Sequence, residues 1–190
     1  MATSTRHKKA KDKEEIVGEV EIPEKVNAKI ENNILEVNGP KGKISKDFSK
    51  IPVTITVENK KIVVKPYGKR KKDLAVTNTS RSIIRNMMVG VLNGYTYKLK
   101  IIFAHFPISI KIKDKRVSVE NFFGERSPRV IDIIGECKVS TQGEDLIVQG
   151  PNLEHVAQTA ANIELGTRVK EKDSRVFLDG LYIYAKEKGM

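Results

Sequence analysis

Basic side chains cluster in short stretches of this 190-residue chain, and clusters of this kind are typical of polyanion-binding surfaces. Lys and Arg number 35 against 24 Asp and Glu, which leaves a formal net charge of +11. Lys and Arg that neutralise phosphates release counterions, so the charge favours a phosphate-rich partner. The alternative is a basic surface that only keeps the protein soluble. The concentration of the charge in loops and a tail favours the polyanion.

The first candidate surface places five cations within eight residues, with Tyr67 among them. Like charges at this density repel one another unless an anion is present, so the group predicts contact with RNA phosphates. Tyr67 either stacks on a base or anchors the loop. Arg81 and Arg85, one helical turn apart, extend this surface or belong to a solvated helix face. The five cations are Lys65, Lys69, Arg70, Lys71 and Lys72.

The second candidate surface is the loop from Asn121 to Arg129, which combines aromatic, glycine and arginine residues. A phenylalanine beside glycine would lie against a base or ribose while the arginines contact phosphates. Alternatively, at least one of Phe122 and Phe123 belongs to the core. The residues predicted to contact RNA are Asn121, Phe122, Gly124, Arg126 and Arg129.

The third candidate surface is the run from Thr167 to Arg175, in which positive and negative side chains alternate. Alternation favours an ordered loop over a loose polybasic tail. Phe177, Leu181 and Ile183 then anchor the run to the core. The predicted phosphate contacts are Arg168, Lys170, Lys172 and Arg175.

Gly39-Pro40-Lys41-Gly42 matches the GxxG loop with which KH domains clamp a nucleotide backbone. In KH domains that loop joins two helices, whereas here it lies between strand-like runs, so the KH interpretation fails. The loop either brings Lys41 and Lys43 close to a phosphate or forms a plain turn.

The residue types that support catalysis or metal binding do not occur at the spacings those functions need. His7, His105 and His155 lie far apart, and none has a metal-site spacing to Cys137. The sequence has no nucleophile elbow and no phosphate-binding Walker loop. The sequence therefore predicts no enzyme, no metal and no cofactor.

The elements that position these surfaces follow from hydrophobic periodicity. Val26, Ala28 and Ile30 alternate with polar residues before an Asn32-Asn33 turn, which predicts a hairpin. Residues 53–57 and 62–64 predict a second hairpin around Asn59 and Lys60. After the basic loop of residues 66–72 the period becomes helical, best from Ser80, and Gly94 ends the helix.

The same plan recurs about 82 to 84 residues later, and a repeat of this kind indicates a duplicated unit. Residues 108–119 repeat the first hairpin, residues 137–148 the second, and residues 153–163 the helix. The sequence predicts an α+β fold of two tandem domains, each an antiparallel sheet packed with one main helix. We place a flexible basic arm at residues 1–15, the first domain at 16–94 and the second, with its C-terminal RNA-binding segment, at 95–190.

A single cysteine rules out an intramolecular disulfide, and no apolar stretch reaches the roughly 18 residues that span a bilayer. The N-terminus lacks the apolar region of a secretion signal. We expect a soluble, cytosolic protein that binds no membrane.

Several motifs together resemble one known family. They are Val37-Asn-Gly-Pro-Lys-Gly42 with Asp47-Phe48, Ala104-His-Phe-Pro-Ile108, Asn121-Phe-Phe-Gly-Glu125, and a C-terminal pattern with Lys172, Arg175, Phe177, Asp179-Gly180, Ile183 and Lys186. Their order and spacing over residues 19–188 resemble the ribosomal large-subunit protein six family in its archaeal and eukaryotic form (protein nine in older eukaryotic numbering). Leu165 departs from the glutamine usual in the eukaryotic members.

The resemblance implies two duplicated α+β domains and binding to large-subunit rRNA near the sarcin–ricin loop and the stalk base, where translation factors dock. It also implies that the C-terminal domain makes the main RNA contacts. The implied partners include neighbouring ribosomal proteins, among them those of the stalk base, with translation factors nearby. The implied location is the cytoplasmic ribosome, with assembly in the nucleus if the source is eukaryotic. The alternative is a free RNA-binding regulator or chaperone with the same fold.

Overall fold

The computed structural model describes residues 18–58, 60–173 and 175–190, so the predicted arm at residues 1–15 lies outside the described residues. The first half contains β1 (Gly18–Glu21), β2 (Asn27–Glu31), β3 (Ile34–Gly39), β4 (Gly42–Asp47), β5 (Val53–Glu58), β6 (Lys61–Pro66) and α1 (Lys71–Asn93). The second half contains β7 (Tyr95–Ile102), β8 (Ser109–Lys113), β9 (Arg116–Glu120), β10 (Arg129–Asp132), β11 (Lys138–Gln142), β12 (Asp145–Gly150), α2 (Leu153–Gly166) and β13 (Gly180–Lys188).

The predicted hairpins are present, and their turns explain the residues found there. Asn32 (φ 49°) and Asn33 (φ 62°) join β2 to β3, and Asp114 (φ 46°) and Lys115 (φ 61°) join β8 to β9. Two successive left-handed residues give the turn whose twist matches the flanking strands. Asn and Asp adopt this conformation more readily than most residues, because their short side chains bond locally to the backbone. The polar dipeptides therefore fix the register of both hairpins.

Both halves follow one plan, which confirms the duplicated α+β fold. The first half has sheets ordered β1-β6-β5 and β2-β3-β4, and the second has β11-β12-β7-β13 and β10-β9-β8. Each half therefore divides its strands between two sheets, because the three strands of β2–β4, and likewise of β8–β10, pair only with one another. The second half gains β13, an edge strand that sequence periodicity did not predict.

Helix α1 starts at Lys71, whereas the sequence placed residues 66–72 in a basic loop and showed the helical period best from Ser80 onward. Its first turns bury Thr77 and Ser80, which are 1% and 0% exposed, so polar residues occupy the face that packs on the sheet and hide the helical period. Lys71 and Lys72 consequently lie in the first helical turn and not in a loop. The helix ends before Gly94, whose φ of 80° suits glycine, as predicted.

The buried apolar residues form two clusters, one in each half. Leu35, Phe48 and Ile84 are completely buried in the first, and Leu99 and Ile163 in the second. In each cluster the main helix packs over strands of both sheets of its half, as contacts of α1 with β3 and β6 and of α2 with β10 and β12 show. The loops at the ends of these strands are therefore carried on a fixed frame.

The two halves meet along a seam formed by the β3–β4 hairpin tip (39–42), the end of α1 (90–94) and residues 151–154. A Cβ on Gly90 would lie 2.0 Å from the Pro151 carbonyl oxygen, and a Cβ on Gly39 would lie 2.9 Å from Val91. The backbone N–H of Lys41 donates to the Val91 carbonyl at 2.9 Å. Gly39 thus permits the hairpin tip to pack closely on α1, and the backbone of this loop is not free to cradle a phosphate. The Lys41 side chain remains exposed.

Neither described helix is long and apolar enough to cross a membrane.

Candidate nucleic-acid interface

The second and third candidate surfaces form a single surface in the structure. We call it the loop surface and define it as residues 103–107, 121–129, 167–173 and 175–178. The rings of Phe123 and Phe177 meet edge to face with centroids 5.5 Å apart. The backbone N–H of Ala104 donates to Asp179 at 3.0 Å, and the Asn121 side chain donates to the Pro107 carbonyl at 3.1 Å. Segments distant in sequence are therefore held in one place.

Arg129 is the centre of this surface and holds its segments together. Its Nε donates to Glu125 at 2.9 Å, while Nη1 donates to the carbonyl oxygens of Gly166 (3.0 Å) and Arg168 (3.1 Å). The guanidinium also lies 4.1 Å from the centroid of the Phe122 ring. Hydrogen bonds from Arg129 hold the pKa of the Glu125 carboxyl below its usual value. The geometry therefore does not favour the prediction that Arg129 binds phosphate, because most of its donors are already used within the protein.

Phe122 requires the second correction, because its side chain is 1% exposed and belongs to the second-half core. A base cannot stack on this ring while the domain is folded. Phe123 is half-buried against Phe177, so the alternative that at least one phenylalanine belongs to the core is confirmed. The two rings anchor the loop, and its polar residues stay exposed.

The tip of the loop has an unusual backbone. Asn121 (φ 56°), Phe123 (φ 53°) and Gly124 (φ 75°) all adopt left-handed conformations. For a bulky residue such as phenylalanine this conformation is strained, and it persists only where surrounding contacts impose it. The burial of Phe122 and the contact between Phe123 and Phe177 supply those contacts. Asn121, Gly124 and Arg126 are exposed on the resulting tip.

Several cations of the loop surface remain available to a ligand. Arg126, Arg168 and Lys170 are exposed and form no ion pair with any described residue. Lys172 is exposed above the rings of Phe123 (5.8 Å) and Phe177 (5.2 Å), which position its ammonium group. The structure brings all four together, although the sequence assigned Arg126 to one candidate surface and the other three to another.

Arg175 differs from these four because it forms a local ion pair. Its guanidinium and backbone N–H both donate to Asp173, and these hydrogen bonds hold the pKa of Asp173 below its usual value. The Arg175 side chain is 88% exposed, so the pair stands in solvent and contributes little to stability. Arg175 can therefore exchange Asp173 for a phosphate.

The first candidate surface lies apart from the loop surface, at the start of α1. We call Lys65, Lys69, Arg70, Lys71 and Lys72 the first-half basic cluster. All five are exposed, and none forms an ion pair with a described residue. The Asp73 carboxylate instead accepts the backbone N–H of Arg70 at 2.8 Å. Tyr67 is 70% exposed, so its ring does not anchor the loop in the core.

Sequence reasoning missed the aromatic residues of the 103–107 segment. Phe103 and Phe106 are 44% and 45% exposed, and the Phe106 ring would lie 3.2 Å from a Cβ built on Gly124. The sequence did contain a signal for their exposure. Both residues lie between β7 and β8, outside the alternation of apolar and polar residues that marks a strand with one buried face. Within residues 18–58, 60–173 and 175–190, no group of His, Cys, Asp or Glu is placed to hold a metal ion.

Comparison with known proteins agrees with this architecture. The family model for ribosomal protein L6 matches residues 22–94 and 106–180, once in each half. The large ribosomal subunit protein uL6 of Staphylothermus marinus is 50% identical over 173 residues, which cover 89% of this chain and 94% of the relative. That of Methanobrevibacter smithii is 43% identical over 169 residues, covering 89% and 95%. The matched regions include both halves and the loop surface, and this chain therefore belongs to the ribosomal protein L6 family.

Proposed function

We propose that this chain binds large-subunit rRNA near the sarcin–ricin loop and the base of the stalk, and that it supports the region where translation factors dock. As a member of the ribosomal protein L6 family, the chain is a structural protein of the large ribosomal subunit and not an enzyme. The particular RNA site is a proposal that rests on the family resemblance and on the loop surface.

The observation that carries the proposal is the convergence of unpaired cations on one rigid surface. Arg126, Arg168, Lys170 and Lys172 come from two segments that Arg129 ties together. Positive side chains on a fixed frame neutralise phosphates without the entropy cost of ordering the whole segment at binding. A surface of this kind suits RNA whose backbones converge at a defined place.

Phosphate contacts position a protein without reading base sequence, so specificity on this surface comes from RNA shape. Exposed Asn121 and the aromatic Phe106 add groups that can bond or stack at an unpaired nucleotide. The protein thereby acts as a scaffold that sets the distance between RNA segments.

The proposed partners besides rRNA are neighbouring ribosomal proteins, including those at the stalk base, with translation factors nearby. We propose the ribosome in the cytoplasm as its location, with nuclear assembly if the source is eukaryotic. The division into domains 16–94 and 95–190 is proposed on the same basis, as is an RNA contact for the arm at residues 1–15.

Sedimentation of the tagged chain from cell lysate on a sucrose gradient, before and after a high-salt wash, tests the ribosomal role. We expect stoichiometric recovery in large subunits and in translating ribosomes after the wash, because contacts that fit the shape of the folded RNA persist at salt concentrations that weaken simple phosphate contacts. Recovery mostly at the top of the gradient would contradict the proposal and favour a free RNA-binding regulator.

Charge reversal of Arg168, Lys170 and Lys172 together is expected to weaken binding to large-subunit rRNA. The slope of log affinity against log salt should fall by about one unit for each phosphate that the variant no longer neutralises. Titration of rRNA with the variant at several salt concentrations measures this slope. The matched control reverses Lys43, Lys61 and Lys111, each of which is already paired with a carboxylate. An equal decrease in affinity for both variants would mean that the loop surface is not the RNA-binding surface.

A further inference from the structure

We infer that the chain bridges two separate segments of large-subunit RNA, one bound by the first-half basic cluster and the other by the loop surface, at a spacing fixed by the seam. This inference rests on the proposed function and adds to it a second RNA contact and a geometric role for the packing between the halves.

The charge of the first-half basic cluster indicates that it has a ligand. Its five exposed cations form no ion pair with a described residue, whereas Lys43, Lys61 and Lys111 each have a carboxylate partner. Two of the five, Lys71 and Lys72, also lie in the first turn of α1, where the helix macrodipole disfavours positive charge. The protein alone gains nothing from this arrangement, and a polyanion stabilises it.

The cluster favours RNA over a protein partner. Its side chains are long and separately solvated, and Tyr67 offers an exposed ring beside them. A stable protein interface has an apolar centre, but Tyr67 and Leu74 are the large apolar residues exposed near the cluster. Lysines spread around one aromatic ring match a phosphate backbone with an unpaired base.

The cluster lies at the start of α1, and α1 ends at the seam. The loop surface lies at the end of α2, and α2 starts at the seam. Helix α1 has 23 residues, so it extends about 34 Å from the cluster to the seam. Helix α2 has 14 residues and extends about 21 Å from the seam to Gly166, whose carbonyl bonds to Arg129. Since both helices have one end at the seam, the difference of these lengths keeps the two surfaces at least about 13 Å apart whatever the angle between the helices. One phosphate group cannot contact both surfaces at that separation, and we assign each surface its own RNA segment.

The seam keeps these two surfaces from moving independently. The close approach of Gly90 to Pro151 leaves no room for a side chain between the halves, and Gly42 lies in contact with the same proline. Lys46 pairs with Glu154 across the seam, and the Gly189 N–H donates to the Gly94 carbonyl at 3.0 Å. A rigid connection between two binding surfaces makes the second binding event intramolecular, so the affinity of the pair exceeds that of either alone.

Directed hydroxyl-radical probing of large subunits that carry the full chain tests the bridge. A tethered iron chelate is attached to a single cysteine in a Cys137→Ser background. The three positions are Ala75→Cys, on α1 one turn from the cluster, Ser127→Cys, on the loop surface, and Gln142→Cys, beside Glu144 and Asp145, as the control. All three are exposed and leave every cation in place.

We expect the chelates at residues 75 and 127 to cleave the rRNA at two separate, non-overlapping sets of nucleotides, and the control to cleave neither set. Cleavage from residue 127 alone, or of one shared set from both positions, would overturn the bridge but leave the proposed function intact. Backbone cleavage of a neighbouring protein from residue 75, with no RNA cleavage, would mean that the cluster binds protein. No rRNA cleavage from either position would refute the proposed function itself.

A binding measurement with rRNA is the second test of the bridge. Replacing Lys69, Arg70 and Lys72 with glutamine should lower the affinity of the full chain about 100-fold, which is the scale expected when a bivalent binder is reduced to one binding surface. Glutamine at Lys43, Lys61 and Lys111 serves as the control for the reduced net charge. If the two triple variants bind equally well, the cluster does not bind a second RNA segment.

Discussion

Replacing Arg129 with alanine is expected to lower the free energy of unfolding by about 3 kcal/mol, because hydrogen bonds to and from charged groups each contribute about 1.5 to 3 kcal/mol. The side chain is only 22% exposed, and its removal leaves the carbonyl oxygens of Gly166 and Arg168 without their donor. The same variant should release the 167–173 segment and thereby weaken rRNA binding, because Arg129 holds that segment through the Arg168 carbonyl. Chemical denaturation and rRNA titration measure the two effects.

Arg116→Ala is the matched control, because Arg116 is 65% exposed and pairs with Asp132 alone among the described residues. We expect it to cost less than about 1 kcal/mol, as exposed ion pairs do. A pH series adds a second check. Since the folded-state pKa of Glu125 is lowered, the pair stabilises the protein fully above the ordinary glutamate pKa and loses this effect as pH falls through the folded value. The deficit of Arg129→Ala should therefore shrink in acid, and a pH-independent deficit would contradict the role of the pair.

Replacing Gly90 with alanine is expected to destabilise the protein by about 3 kcal/mol, the upper range for overpacking a tight site. Glycine to alanine in a helix interior usually stabilises by about 1 kcal/mol, so the sign of the effect is diagnostic. Here the new methyl group would lie 2.0 Å from the Pro151 carbonyl oxygen and 3.0 Å from the Tyr95 ring. The halves must shift apart, and thermal or chemical unfolding measures the decrease in stability.

Ser82→Ala controls for helix propensity, because Ser82 is an exposed residue of the same helix. We expect that variant to be as stable as the parent or slightly more so. If Gly90→Ala were also neutral, the seam would be loose enough to accept a methyl group. The inference that the seam fixes the spacing between the two proposed RNA-binding surfaces would then be wrong.

Features with a local cause could be predicted from the sequence. Strand alternation and the Asn32-Asn33 dipeptide located the first hairpin, because burial of one sheet face and turn geometry depend on neighbouring residues. Gly94 marked the end of α1, because the positive φ that ends a helix is a local property of the glycine itself. The repeat of these signals at a constant offset gave the duplicated fold, which the two matches to the family model confirm.

Features that depend on tertiary contacts could not be predicted. The start of α1 was missed because Thr77 and Ser80 are buried and interrupt the apolar period. Arg129 resembled a phosphate ligand in sequence, since nothing in its neighbourhood along the chain shows that Gly166 and Arg168 would supply acceptors from 37 and 39 residues away. Gly39 and Gly42 resembled a nucleotide clamp, but Gly39 is glycine because α1 packs against it at Val91, and Gly42 because its φ is 146°.

The pairing of β13 with β7 has a kinetic consequence for the loop surface. Gly180 pairs with Ile102 and Lys188 with Tyr95, whereas in the first half β1 pairs with β6 from Gly18–Val64 to Glu21–Lys61, at a much shorter distance along the chain. Closing the longer loop costs more entropy before any contact offsets it, so contacts of this range form late in folding. Asp179, which holds Ala104, directly precedes β13. We therefore expect the first half to reach its native structure ahead of the second, and the proposed RNA-binding surface to be among the last parts of the protein to form.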